Sequence, residues 1–182
     1  MKQSVTMNDY EFTLKFSLPD LAIGPEQYVG KLAAAGCDDA LIGIGQIGRI
    51  ALDFTRSADS AFKAISSAMK DVRAAIPEAQ LIEASPDFVG LTDVADIAGF
   101  TRQNMRKLML GNISTFPAAI HEGKPALWHL STVLTWLVEQ QKRQVDAALL
   151  EVAKTNMQLN IARQARMLKG ATLPRALERL FA

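Results

Sequence analysis

The sequence predicts an α+β fold, with a small sheet module first and helices after it. Three observations predict this. Tyr10, Phe12, Leu14 and Phe16 alternate with polar residues, the period of a half-buried strand. Phe62, Ile65, Met69, Val72 and Ile76 recur at three- and four-residue spacing, the period of a helix lying on a core. From Leu91 onward helical spacing dominates, and no Gly or Pro interrupts Glu139 to Lys169.

The first 89 residues justify the sheet module. Pro19 and Gly24-Pro25 end the first strand. Pro25 suits the first position of a helix over 26–35, which Gly36 stops; Tyr28, Leu32 and Ala35 face its core. Ala40 to Ile44 and Arg49 to Thr55 read as strands joined by a turn at Gly45–Gly48. Asp59 or Ser60 caps a helix running to about Ala75, and Pro77 ends it. Gln80 to Ala84 is a short last strand. This β-α-β-β-α-β order resembles a ferredoxin-like module, which implies an antiparallel four-stranded sheet with two helices on one face.

Chemistry is sparse in that module. Gly43-Ile-Gly45-Gln-Ile-Gly48 matches the dinucleotide pattern G-x-G-x-x-G. A dinucleotide site needs a helix N-terminus straight after the glycines to hold pyrophosphate, and Arg49 to Phe54 alternates like a strand instead. The nearest following acid, Asp53, is far closer than the usual ~20 residues. The glycines are therefore expected in a hairpin turn. No His lies in residues 1–89. Cys37 has acidic neighbours, Asp38 and Asp39, and no adjacent cation to lower its pKa, so a small buried residue is expected. Asp38-Asp39 are expected to cap or solvate a turn rather than to bind a metal. No catalytic constellation is present; the expectation is a protein that is not an enzyme and uses no cofactor or metal.

Composition bounds the rest. At 182 residues, 49% hydrophobic and 21% charged, the chain can bury one large core or two small ones without staples. A single cysteine forms no intramolecular disulfide, which fits a reducing compartment. No signal-peptide pattern opens the chain, and no run of about 18 apolar residues occurs. The expected localisation is cytoplasmic, away from any membrane. The net charge of +1 hides an asymmetry. Residues 1–89 carry eight Lys/Arg against twelve Asp/Glu, residues 90–138 four against three, and residues 139–182 eight against four. The acidic part is a poor phosphate binder, and the later parts are better suited.

Ser85-Pro86-Asp87 is a turn signal, and the charge changes sign there, so a boundary is expected near residue 89. Leu91 to Leu108, LTDVADIAGFTRQNMRKL, reads as two short helices around a tight turn. Val94, Ala98, Phe100, Met105 and Leu108 are its inward positions. Ala95 is small where the helices cross, and Gly99 sits where the turn requires positive φ. Thr92 and Thr101 are candidate caps. This arrangement resembles the helix-turn-helix of DNA-binding regulators, whose second helix enters the major groove. Residues 101–110 would be that recognition helix. Gln103 and Lys107 lie opposite the Met105 stripe, with Arg106 beside them and Arg102 and Asn104 flanking. Thr101, Arg102, Gln103, Asn104, Arg106 and Lys107 are therefore the candidate DNA-binding residues: Arg can pair bidentately with guanine, Gln or Asn with adenine, and Lys with phosphate.

After it, Phe116 to Trp128 reads as a β-hairpin with Glu122-Gly123-Lys124 at the tip. A helix follows, with Ser131 as its expected cap and Val133, Leu134, Trp136 and Leu137 inside. The spacing FP…I…G…W…V..WL from Phe116 to Leu137 is similar to the winged helix of the MerR superfamily, closest to its AlpA-like branch of small prophage regulators and excisionases. That resemblance covers residues 91–137. It implies a wing laid on the DNA backbone, with Lys124 contacting phosphate and Trp128 and Trp136 in the core. His121 and His129 are expected in surface or DNA-proximal polar roles.

Val138, Val145, Val152 and Leu159 recur every seven residues along Glu139 to Lys169. One reading is a long helix that pairs with a second copy, as in MerR-type regulators; the other is a helix packed on its own chain. The first is preferred, making residues 139–169 the expected homodimer contact. Leu173 to Phe181 is a short amphipathic segment, suited to docking or to a protein partner. The chain thus divides into an α+β module at 1–89, a winged helix-turn-helix at 90–138 and a helix with tail at 139–182. The expected function is a dimeric, sequence-specific regulator on double-stranded DNA. The alternative is a protein-interaction adaptor, such as the autoregulating antitoxin of a toxin–antitoxin pair.

Overall fold

The computed structural model describes residues 7–168. Alternating residues build the first layer. β1 (Asn8–Ser17) is followed by a 3-10 turn at Pro25–Tyr28, α1 (Val29–Ala34), β2 (Ala40–Gly43), β3 (Arg49–Ala58), α2 (Ala61–Ala75) and β4 (Gln80–Ser85). The strands form one antiparallel sheet in the order β2-β3-β1-β4. The register sets Phe12 opposite Phe54, Leu14 opposite Leu52 and Phe16 opposite Ile50. All six side chains are buried on one face, and Phe12 stacks on Phe54 at 5.2 Å. At roughly 1.5–3 kcal/mol for each fully buried large apolar side chain, this row is the main source of the module's cohesion. Leu32 of α1 and Ala64, Ile65, Ala68 and Val72 of α2 close over it.

The expected helix stripe needs one correction. Phe62 is 66% exposed, and Ala61, Ala64 and Ala68 take the inward line with Ile65, Met69 and Val72. At 3.6 residues per turn the buried arc centres on Ala61, Ile65, Ala68 and Val72, and Phe62 falls about a quarter turn from that centre. Ser60 is the cap, its side chain accepting from the Lys63 N–H at 3.3 Å.

The glycine pattern spans the β2–β3 connection, and a strand follows it as expected. Cys37 is buried as expected. Its surroundings were not legible: Arg56, 19 positions away in sequence, donates to the carbonyl of the preceding residue, Gly36, at 2.6 Å. Asp39 is not a solvated turn residue, because both its oxygens bond the Arg56 guanidinium, at 2.6 and 2.8 Å.

A second layer follows. β5 (Phe88–Val89) precedes α3 (Leu91–Ile97) and α4 (Arg102–Gly111); β6 (Trp128–His129) runs into α5 (Leu130–Glu139). Val89 pairs with Trp128 and Phe88 with His129, so the ladder reaches back to residues just before the expected boundary. Val94, Ala95, Met105, Leu130, Leu134, Trp136 and Leu137 form the second core. Both tryptophans are buried as expected. Trp128 Nε1 donates to the Pro117 carbonyl at 3.0 Å and Trp136 Nε1 to Thr115 Oγ1 at 3.2 Å, while Phe116 meets both rings edge-on.

The long helix from 139 does not form as one piece. α5 ends at Glu139, and α6 spans Ala147–Met167. Lys142 adopts φ 52°, outside the helical region, and Asp146 caps α6 by accepting from the Leu149 N–H at 2.8 Å. Nor is the heptad line free along its length. Val152 is buried in the first core and Ala153 in the second, so α6 is wedged between the two. Asn160 seals the contact. Its Oδ1 accepts from the Ala84 N–H at 2.9 Å, and its Nδ2 donates to the Ala84 carbonyl and to Asp87 Oδ2, each at 2.8 Å. Ala84 lies on β4, an outer strand of the sheet, so one side-chain amide occupies backbone groups that a neighbouring strand would otherwise take. The tail segment from Leu173 to Phe181 lies outside the described residues. No helix among those described is long and apolar enough to cross a membrane.

Candidate nucleic-acid interface

The pair α3 and α4 owes its geometry to backbone rules. Gly90, not Thr92, is the N-cap of α3, and its N–H donates to Asp93 Oδ2 at 2.7 Å. The carboxylate at the third helical position thus reaches back to the backbone donor of the cap residue, the half of a capping box that needs no side chain at the cap itself. The chain then reverses at Gly99, φ 70°, with the Phe100 N–H donating to the Ala95 carbonyl at 2.7 Å. Thr101 caps α4 as expected, Oγ1 accepting from the Asn104 N–H at 3.2 Å. Ala95 and Met105 are fully buried between the helices, and Ala98, Phe100 and Leu108 pack on the same core.

That packing leaves one side of α4 free. Arg102, Gln103, Asn104, Arg106 and Lys107 are all exposed, as is Thr101. None of the three cations is in an ion pair among the described residues, and α4 contains no acid. Lys124 is exposed as well, in the connection between α4 and β6. The expected hairpin is reduced: its arms meet at one bridge, His121 to Leu127, with the Ile120 N–H donating to Leu127 O at 2.8 Å. Trp128 pairs with Val89 instead of with the first arm. Pro117 and Pro125 lack the donors a longer ladder needs.

Two histidines separate in role. His121 is exposed. His129 is not a surface residue: its Nδ1 lies 2.8 Å from Oδ1 of Asp87, which is 1% exposed. The residue also precedes the first turn of α5, where Ser131 was expected; Ser131 is buried and donates to Met157 Sδ at 3.2 Å. Asp87, just before β5, thereby ties β6 to α6 through His129 and Asn160, and its carbonyl accepts from the Leu130 N–H at the start of α5 at 2.7 Å. Among the described residues no group of three or more His, Cys, Asp or Glu is arranged to hold a metal.

Sequence reasoning missed one cation. Arg143 lies in the connection between α5 and α6, and its guanidinium sits 5.3 Å over the Phe100 ring. Phe100 directly precedes the Thr101 cap, so an exposed Arg stands beside the start of α4. Reading Asp146 as a cap before Ala-Ala-Leu-Leu-Glu would have broken the helix there and released Arg143 from it.

Comparison of the chain with protein-family models, with curated proteins and with solved structures finds no match.

Proposed function

We propose that this chain is a sequence-specific regulator on double-stranded DNA, with α3–α4 acting as the helix-turn-helix of a MerR-like winged helix. On this reading α4 enters the major groove, and Arg102, Gln103, Asn104, Arg106 and Lys107 meet base edges and phosphates. Lys124 at the wing tip and Arg143 beside the α4 start add phosphate contacts. The observation that carries the reading is the free face of α4: three cations and two amides, unpaired and exposed, on a helix fixed from behind by Met105. The strand order and element sequence of the first layer support a ferredoxin-like module, which on this reading serves protein contact or ligand response. The chain is then a binding protein, not an enzyme.

The test is selection of bound duplexes from a random pool. An enriched motif is the expected result, and recovery of no motif over competitor DNA at modest salt overturns the reading. A palindromic motif reports two copies, a single half-site one copy. Arg106→Ala is expected to cost about 1–3 kcal/mol and to relax preference at one base pair.

A further inference from the structure

Beyond the DNA face lies a groove of about 840 Å³ between α2, α6 and the start of β4. Its floor is apolar: Ile65 and Met69 from α2, Leu81 from β4 and Leu159 from α6. Phe62, the residue turned away from the core, forms one wall.

Its charge is one-sided. Lys70 and Arg73 project from α2, and Arg163 and Arg166 from α6, while no acid lines the groove. The only acids on the two helices are spent inside the fold. Asp71 bonds Arg56 at 2.6 Å, and Glu151 accepts from Tyr10 Oη at 2.9 Å and from the Ala61 N–H at 3.0 Å. Among the described residues none of the four cations has an ion-pair partner, and the Nε of Arg163 is buried without a hydrogen bond. Four like charges around an apolar floor repel one another and leave a donor unused, which an anion would relieve.

We propose that this groove binds a small anionic amphiphile, an alkyl or aryl chain ending in a carboxylate, with the chain on the Ile65–Met69–Leu159 floor and the head group at Arg163 and Lys70. Size argues for a small molecule. The volume falls within the roughly 300–1,000 Å³ of ligand pockets. The sixteen lining residues are fewer than the about 20–30 per side of a stable protein interface. Charge argues against the chain's own tail, whose Lys169, Arg175 and Arg179 outnumber Glu178.

Calorimetric titration of the full chain with decanoate tests this. Saturable binding is expected, with decan-1-ol about tenfold weaker because it lacks the charge-assisted bond. The double variant Lys70→Gln/Arg163→Gln should lose about tenfold for decanoate and nothing for the alcohol. Phe62→Ser should weaken both. Equal affinity for acid and alcohol, or a double variant that binds decanoate as the parent does, overturns the proposal. So does decanoate binding that appears only after residues 169–182 are removed, which would assign the groove to the tail.

Discussion

Arg56 sits on the inner face of β3, opposite Tyr10, where the alternation calls for an apolar side chain. It is tolerated because all its donors find acceptors: Asp39 twice, Asp71, Ser67 Oγ and the Gly36 carbonyl. The paired carboxylates, Asp39 first, raise its pKa further above the ordinary range, so it is charged at every working pH. Arg56→Met should cost about 3–5 kcal/mol, because it strands two carboxylates. An unfolding free energy from urea titration that falls by less than about 1 kcal/mol would refute the account. Cys37 lies against the same cluster. Burial above all, and Asp71 after it, push its thiol up to about 11, outweighing the opposing pull of Arg56. The folded state therefore holds this proton more tightly than the unfolded chain. Its contribution is complete below the ordinary thiol range near ~8.5 and is lost as pH rises toward 11. Stability measured between those limits should fall, less so in Cys37→Ala, and Ellman's reagent should leave the native thiol unmodified at pH 8. The pattern of residues marked Cys37 as buried but not its neighbours, because Gly36, Asp39, Arg56 and Asp71 come together only across three elements.

At the scale of elements, caps and turns decide more than propensity does. The α3–α4 turn was legible because Gly99 is punctuation with one physical meaning: φ 70° admits glycine freely and other residues at a cost. No atom lies within 4 Å of where a Cβ at Gly99 would stand, so substitution meets backbone strain alone. Gly99→Val should cost about 1–2 kcal/mol in thermal unfolding, and Gly99→Asn distinctly less. The α5–α6 break was legible only at one end: Asp146 is a cap residue in the sequence, but nothing there marks Lys142. Lys142 carries its positive φ without being glycine, and bonds back to the end of α5 hold it: the Arg143 N–H donates to the Leu137 carbonyl at 3.0 Å, and Lys142 Nζ to the Glu139 carbonyl at 2.7 Å. Docking of α6 rests on Asn160. Asn160→Leu keeps the volume but leaves the Ala84 N–H and carbonyl and one Asp87 oxygen without this partner. A loss of about 3 kcal/mol is expected, and a neutral result would mean water replaces the amide there.

For the molecule as a whole, α6 makes the two cores one unfolding unit. Both tryptophans report on the second core, whereas Val152 lies in the first. Val152→Ala should therefore move the tryptophan fluorescence transition together with the far-UV circular dichroism transition, by about 2 kcal/mol. Separate transitions, with fluorescence unmoved, would show that the cores unfold independently. DNA affinity, on the proposed reading, belongs to this scale too. Logarithmic plots of affinity against salt should fall with a slope of about −0.9 for each phosphate neutralised, and each of Lys107→Ala and Lys124→Ala should flatten it by about one unit. An unchanged slope would remove those two lysines from the interface.

By itself the sequence determined what is local. Period-two alternation named the inner face of β1 and marked β3 as a strand, three-to-four spacing named both helices of the α3–α4 pair, and Gly99 and Thr101 named the turn and the cap. These signals need only neighbours along the chain, within a turn or a pleat. Tertiary structure alone decided the rest. It turned Phe62 outward, gave Arg56 its acceptors, set Asp87 against His129, and laid α6 in cis between two cores. Each of these depends on partners far apart in sequence, and a seven-residue repeat of Val138, Val145, Val152 and Leu159 is the same string whether its apolar stripe meets a second copy or its own chain.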